Sequence, residues 1–554
     1  MTHDTFDFDF LIVGSGFGGS VSALRLTEKG YRVAVMEMGR RWTRNNLPKT
    51  SWQMHRWFWR PGIALRGFFN MRFFRHVTIL HGCAVGGGSI TYACTMLRPP
   101  DKVWDNGSWA GLDDWKRQMP QHYDEASRML GVTTNKILGP ADKLLRKVAE
   151  KAGVGDTFYR TSVAIFQAPE GVQGGVTMPD PYFSGEGPER TTCEGCGGCM
   201  MGCRHNAKNT LDLNYLYLAE KRGCQVFPES RVIDIVPVGA ADGSDGYRVT
   251  TERSTAFFAK RRRTFSCRGI VVSASALGSM ELFFRLKEKH SLPNVSHNVG
   301  RFVRTNSESL IGVRVPDTID DLSKGVAIGS GIYIDEDTHI EAVRYPKGSD
   351  SMSAWTTILT GGRPGPGRVA LWLKNLWVQS LTHPIRTFRI LQPFGWASES
   401  VILLCMQALD GHIDMHWKRS YLWPFRKVLA SRGQSIPTFI PAANQFAELF
   451  AEVVGGSPMS MLPEILFDLP GTAHCLGGCV MADSPARGVV DYRNRVFGYK
   501  NMYVCDGSVV SANLGVNPSL TITALSERAM SFIPMKSETA WNDQAEILDR
   551  VGTA

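Results

Sequence analysis

The residues best equipped for chemistry lie near the C-terminus, in HCLGGC at 474–479, VCDGS at 504–508 and NLGVNPSLT at 513–521. His474 offers an imidazole whose ordinary pKa is close to neutrality, suited to taking or giving a proton. Asp506 offers an acid and Asn517 an amide, and the flanking glycines, Gly507 among them, let backbone approach a ligand closely. Alone this is a polar, glycine-rich segment in which His474 reads equally as a satisfied structural histidine and Asn517 as a turn residue. It gains meaning from the opposite end of the chain. There Asp9 to Val13 reads as a buried strand that runs into GSGFGG at 14–19. Gly14, Gly16 and Gly19 fit G-x-G-x-x-G, with Phe17 inside the turn. A helix is expected over Gly18 to Lys29 and a strand over Arg32 to Glu37, with Glu37 placed 23 residues after the first glycine. Such a turn lets a pyrophosphate reach the helix N-terminus, and the carboxylate receives a ribose hydroxyl. The motif by itself leaves FAD and NAD both open.

Two further segments carry ligand-binding residue types. In GCAVGGGSITYA at 82–93, Gly86, Gly87 and Gly88 remove every side chain over three residues, which permits contact with a planar group or a phosphate, and Ser89 stands ready as a donor. Cys193, Cys196, Cys199 and Cys203 have C-x2-C-x2-C-x3-C spacing, the ferredoxin pattern, with Arg204 where ferredoxins have proline. An iron-sulfur cluster, a tetrahedral zinc site and a reduced structural turn all fit that spacing.

The elements that must position these residues belong to a large chain. Its 554 residues exceed one simple core, and 43% apolar with 21% charged residues is an ordinary globular composition. The first strand starts too early to leave room for a secretory signal, and no apolar run is long enough to span a membrane, so a cytoplasmic protein with reduced or metal-bound cysteines is expected. Charge is uneven. Ten of the 62 Lys and Arg fall between Met38 and Pro100, where no Asp or Glu occurs, leaving 52 of each sign elsewhere. Within 40–78, Trp52, Trp57, Phe58, Trp59, Phe68, Phe69, Phe73 and Phe74 alternate with Arg56, Arg60, Arg66, Arg72 and Arg75. Ser351 to Ser398 is a second acid-free stretch, with Trp372, Trp377, Arg386, Phe388 and Arg389. Aromatics among arginines without acids form an interfacial membrane face, or else a lid whose aromatics are core. No recognition motif accompanies the charge, so nucleic acid is not the expected partner.

A later buried strand, Gly269 to Ser273, leads into ALGS at 276–279 and a helix through Phe284, and the polar loop Ala240 to Asp245 marks a hairpin. From Asn306 to about Phe467, strand-like and aromatic-rich segments alternate without a glycine fingerprint, as expected of an inserted substrate unit. The blocks GSGFGG with Glu37, GCAVGGGS, HCLGGC and DGSVVSANLGVNPSLTITALSER occur in the order seen in the glucose-methanol-choline oxidoreductases, and the chain resembles that family of FAD enzymes from Phe10 to about Pro534. RTNSES at 304–309, HIEAVRY at 339–345 and GCRHNAKNTL at 202–211 look like its bacterial cholesterol oxidase branch.

The resemblance implies an α/β fold: a Rossmann-like FAD-binding domain (1–300 and 468–535), an inserted α+β substrate-binding domain (301–467) and a C-terminal tail (536–554). It implies FAD held by Gly14, Gly16, Phe17, Gly19, Glu37, Gly86, Gly87, Gly88, Ser89, Asp506, Gly507, Asn517 and Pro518. His474 stands at the family's histidine position, and Asn517 where cholesterol oxidases carry asparagine in place of a second histidine. Glu341 falls at the carboxylate that moves a proton from C4 to C6. Burial would raise its pKa, whereas an exposed glutamate paired with Arg344 is the plainer alternative. The implied reaction takes a 3β-hydroxysteroid to the 3-keto product and then the conjugated enone, with electrons passing to dioxygen; the localised charge separately suggests that the basic aromatic segment docks at the inner membrane face. Two rivals stand beside it: a dehydrogenase for another hydrophobic alcohol passing electrons through an iron-sulfur centre to a partner protein, and a redox-sensing flavoprotein built on the cysteines. Cys475 for proline, Thr91 for asparagine and the glycine missing from SASALGS depart from the family pattern.

Overall fold

The computed structural model describes residues 6–536, except 317, 364, 410, 421–424, 426, 434 and 435. The expected C-terminal tail therefore lies, after its first residue, outside the described residues. Phe8–Val13 is buried at every position, as a strand covered on both faces must be. It pairs in parallel with Val33–Met36 on one side and Arg262–Val272 on the other, and Met502–Val504 adds in parallel beside the latter. Gln225–Phe227 closes one edge in parallel, while Ser230–Pro237 and Tyr247–Arg253 form the expected hairpin around 240–245. Register aligns Val13 with Met36 and Val272, and Val272 with Val504, so four strands end at one edge. In such sheets ligands bind beyond the carboxyl ends of the strands.

A second sheet of seven strands is antiparallel, in the order Thr356–Ile358, Ser457–Met461, Ser309–Arg314, Ser400–Gln407, Thr338–Val343, Ile328–Tyr333 and Tyr159–Arg160. Strand side chains alternate between faces. Ile340, Ala342, Leu403 and Cys405 pack against a core that includes Phe446 and Phe450 of helix Pro441–Val454. Val343, Ile402 and Leu404 face the other way, toward the first sheet's carboxyl edge. Glu341 lies between Ile340 and Ala342 and shares the face of Val343.

The basic aromatic segment is chiefly a lid. Trp57, Phe68 and Phe69 are buried with Trp42, Tyr345 and Trp396, and Trp57 stacks on Phe69 at 5.1 Å. Strands Phe69–Phe73 and Thr78–Gly82 pair, and Gly471–Thr472 joins them in parallel, which delivers His474 beside the lid. Among the described residues no helix is long and apolar enough to cross a membrane.

The strand that carries Glu341 is anchored just past its end. Arg344, fully buried, holds both carboxylate oxygens of buried Asp142 at 2.7 Å, and Asp142 in turn accepts the Gly139 N–H at the start of helix Pro140–Lys151. Removing one partner of such a pair strands a buried charge. Arg344→Met should therefore cost about 3–5 kcal/mol in urea unfolding followed by circular dichroism; a loss below 1 kcal/mol would refute the anchoring role.

Candidate active site

The carboxyl ends of the parallel strands open into one cavity of about 1310 Å³. Gly14, which follows the first strand, has φ +98°, and a Cβ there would sit 2.2 Å from the Ser273 carbonyl oxygen. Gly18 packs still closer, since a Cβ would lie 1.6 Å from the Cys505 carbonyl oxygen. Gly19 likewise abuts the Gly14 carbonyl, so its absent side chain serves helix-to-strand packing and it does not line the cavity. Gly16 is different: nothing lies within 4 Å of its Cβ position, and it borders the cavity. It begins helix Phe17–Glu28, whose first turn has neither a side-chain cap nor an acid. Unspent N–H donors and the positive end of the helix dipole thus face an open space, which fits a diphosphate. Gly87, φ +53°, lays its backbone against Gly16, where a Cβ would come within 2.5 Å of the Gly16 Cα.

Glu37, buried at the end of the second strand, accepts the Ser15 N–H at 3.0 Å, the Ser15 hydroxyl at 2.6 Å and the Gly39 N–H at 2.6 Å. Burial still raises its pKa above the usual carboxylate range. Its carboxylate oxygens keep further acceptor capacity toward the cavity they border. Phe17, Gly88, Asp506, Gly507, Asn517 and Pro518 line the same space. Ser89 does not serve as a free donor: its hydroxyl donates to the Gly86 carbonyl at 2.6 Å and accepts the Leu211 N–H at 3.0 Å. Gly86, with φ +93°, is bound into this turn, and neither residue lines the cavity. Asp506 spends both oxygens within the protein, on the Ser508 N–H and hydroxyl and on the Ser279 hydroxyl.

At the far end of the cavity the structure unites the three reactive candidates and adds a fourth. His474 Nδ1 meets Glu308 Oε1 in a very short contact, which makes Nδ1–H the donor, so that in the neutral ring Nε2 is the acceptor. Burial would lower the His474 pKa, but the Glu308 and Glu341 charges outweigh it and hold it above the ordinary value. The Asn306 amide donates to the Val516 carbonyl at 2.8 Å and so positions the residue before Asn517. Asn517 Nδ2 donates to Glu341 Oε2 at 3.3 Å. Glu341 is fully buried behind Asn517, and its Oε1, like Asn517 Oδ1, has no hydrogen-bond partner. The pairing of Glu341 with Arg344 does not occur, because Arg344 is committed to Asp142. Burial pushes the Glu341 carboxyl up to about 7, with Asn517 and His474 acting against it. Glu308 and Asn306 were not singled out from sequence, although both lie inside RTNSES; only contact across 168 and 166 residues reveals their roles.

The cysteine motif resolves toward a structural turn. Among the described residues no group of three or more His, Cys, Asp or Glu side chains is placed to hold a metal ion. Cys199 faces Cys94, Sγ to Sγ at 3.8 Å, while Cys193 and Cys203 accept backbone N–H groups of Gly195 and Lys208. Burial pushes the Cys196 thiol up to about 11, whereas the hydrogen bond from Cys94 pulls Cys199 down to about 6. The iron-sulfur and zinc expectations for Cys193, Cys196, Cys199 and Cys203 thus find no support in this geometry.

A family model described as GMC oxidoreductase matches residues 465–526, and one described as an NAD(P)-binding Rossmann-like domain matches 12–45. The chain belongs to the GMC oxidoreductases, FAD-dependent enzymes that act on CH–OH groups. It is 59% identical over 537 residues to a cholesterol oxidase of Acinetobacter baumannii, covering 97% of this chain and 96% of that protein. It is 44% identical over 543 residues to a cholesterol oxidase of Mycobacterium tuberculosis, covering 96% and 92%. Among solved structures, a fungal aryl-alcohol oxidase superposes with TM-score 0.59 at 13% identity over 99% of this chain and 100% of that one. Pyridoxine 4-oxidase from Mesorbium loti gives 0.58 at 15% identity over 94% and 98%. Those likenesses speak to the fold, which is the expected Rossmann-like unit with an inserted α+β unit.

A buried carboxyl near neutrality leaves a mark on stability. Because folding lifts the Glu341 pKa from 4.5 to about 7, the folded chain binds more protons than the unfolded chain between those values, and stability falls as pH rises through that window. Glu341→Gln should remove this slope and be more stable than wild type at pH 8, by on the order of 3 kcal/mol. Denaturant melts at pH 5 and pH 8 check this; equal differences at both would refute a raised pKa.

Proposed function

We propose that this chain oxidises the 3β-hydroxyl of a sterol to the ketone and then moves the double bond into conjugation. The observation that carries the reading is a polar group, His474, Glu308 and Asn517 with Glu341 hydrogen-bonded behind Asn517, bordering a cavity walled by apolar strand residues such as Val343, Ile402 and Leu404. The two cholesterol oxidases of high identity support the substrate class. FAD, when bound, supplies the hydride acceptor and carries the electrons on to dioxygen. The uncapped helix N-terminus behind Gly16, the Gly87 turn and Glu37 are the residues that would hold it. The domain reading, 1–300 with 468–535 for cofactor and 301–467 for substrate, fits the two sheets except that helix Pro140–Lys151 and strand Tyr159–Arg160 pack with the second, and Ile413, Met415 and Leu429 pack in the first core.

In this reading His474 Nε2 takes the hydroxyl proton, and Glu308 fixes the tautomer and steadies the imidazolium that forms. The Asn517 amide holds the substrate oxygen without adding charge. Glu341, poised near neutrality, can accept a proton at C4 and return it at C6. Electron exit through an iron-sulfur centre finds no cluster of ligands among the described residues.

Anaerobic titration of the holoenzyme with sterols and with non-sterol alcohols tests the proposal, since only sterols should bleach the flavin; bleaching confined to other alcohols would overturn it. His474→Gln should lower kcat about 10²–10³-fold. Glu341→Gln should still bleach but no longer form the conjugated enone. In the pH profile of kcat/KM, Glu308→Gln should move the acid limb to lower pH by about one unit, because His474 loses its counter-charge. An unmoved limb would remove Glu308 from the proposed role.

A further inference from the structure

The second acid-free stretch forms two helices, Pro366–Thr382 and Pro384–Leu391, joined at His383. Their inner side is held to the protein. Trp372 and Leu376 pack with Ile358, Ile390 and Met459, and buried Arg368 reaches the carbonyls of Thr360, Thr438 and Glu464. The outer side is apolar yet uncovered. Leu373, Trp377, Leu381, Ile385, Phe388 and Phe394 are each between 54% and 76% exposed. Of the 24 large apolar side chains exposed among the described residues, nine fall between Leu371 and Phe394. Surfaces of soluble monomers scatter such residues singly, and a contiguous patch of this kind marks an interaction site.

Charge and position say what covers it. Between Ser351 and Ser398 no Asp or Glu occurs; Arg363, Lys374 and Arg389 are exposed beside the apolar residues, while the Arg386 guanidinium donates to the Gly456 carbonyl and the Ser457 hydroxyl. The hairpin packs on the cavity wall, where Met459, buried beneath Ile390, lines the cavity; Trp355 and the exposed Phe73 line it where it reaches the surface. Phe73, on the lid, stacks on Trp355 at 6.5 Å, so the two acid-free segments meet at this rim. On the lid side Trp52, Ile63 and Phe73 are exposed beside the exposed Arg56 and Arg66. An apolar face rimmed by cations and free of acids complements an anionic lipid surface, whereas a protein partner would need its own acids to meet the rim. We propose that the helical hairpin 366–391, with Phe394 and the exposed tip of the lid, seats the cavity mouth on an anionic bilayer. That a sterol passes through this mouth rests on the function proposed above, but the lipid contact does not.

The holoenzyme should cosediment with vesicles of 70% phosphatidylcholine and 30% phosphatidylglycerol and release in high salt. Trp377→Ser with Phe388→Ser should reduce the bound fraction at least tenfold while flavin content and melting temperature stay at wild-type values. Hydrogen–deuterium exchange of the wild-type holoenzyme, which needs no variant, should show vesicle-induced protection within 366–394. No binding to these vesicles, protection elsewhere only, or a dimer that the double variant splits would each overturn the proposal. The last would assign the face to a second copy of the chain. Because none of these readouts uses turnover, a failure to bleach with sterol and a failure to bind lipid are separate results.

Discussion

The structure depends on four parallel strands ending in register at one edge of a sheet. Val13, Met36, Val272 and Val504 bring the chain at Gly14, Glu37, Ser273 and Cys505 to one line, and Gly14, Glu37, Ser273 and Asp506 border the cavity there. Segments far apart in sequence must approach to contact distance there, which only glycine permits: Gly14 against Ser273 in mid-chain, and Gly18 against Cys505 near the C-terminus. Buried aliphatic side chains along these strands, each contributing about 1.5–3 kcal/mol, hold the register that makes the approach possible.

The second sheet uses its alternation to supply chemistry. One face of Thr338–Val343 packs with helices, and the other turns a carboxylate toward the cofactor edge. A glutamate with an unpartnered oxygen in a buried site is costly, and the surrounding packing, including the Arg344–Asp142 pair one step along the chain, keeps it there. Natural sites break local rules where function requires it. Glu341, Asn517 and the orphaned Oδ1 of Asn306 are such breaches, gathered around His474.

The exposed hairpin breaks a different rule, that large apolar residues find cover. Its inner face is tied down by the side chains of Arg368 and Trp372, which donate to the Thr438 and Thr357 hydroxyls, so the outward face is a consequence of placement. Both acid-free segments meet at the cavity rim through Phe73 and Trp355, which links surface composition to the interior it guards.

By itself the sequence determined the glycine turns, the strand–turn–helix that opens the chain, and the family, because close approach and strand burial impose local residue patterns that survive as motifs. It also singled out His474, Asn517 and Glu341. It left open whether Glu341 was exposed, and whether the aromatic segment was lid or membrane face, because burial depends on what packs from distant chain. It read Ser89 as a free donor and left the cysteines open between metal ligands and a structural turn, since spacing along the chain carries no information on where hydroxyls and thiols point. Glu308 stayed invisible for the same reason: its bond to His474 spans 166 residues, and only the tertiary structure, by joining the two sheets, decided that an ordinary glutamate sets the charge of the site.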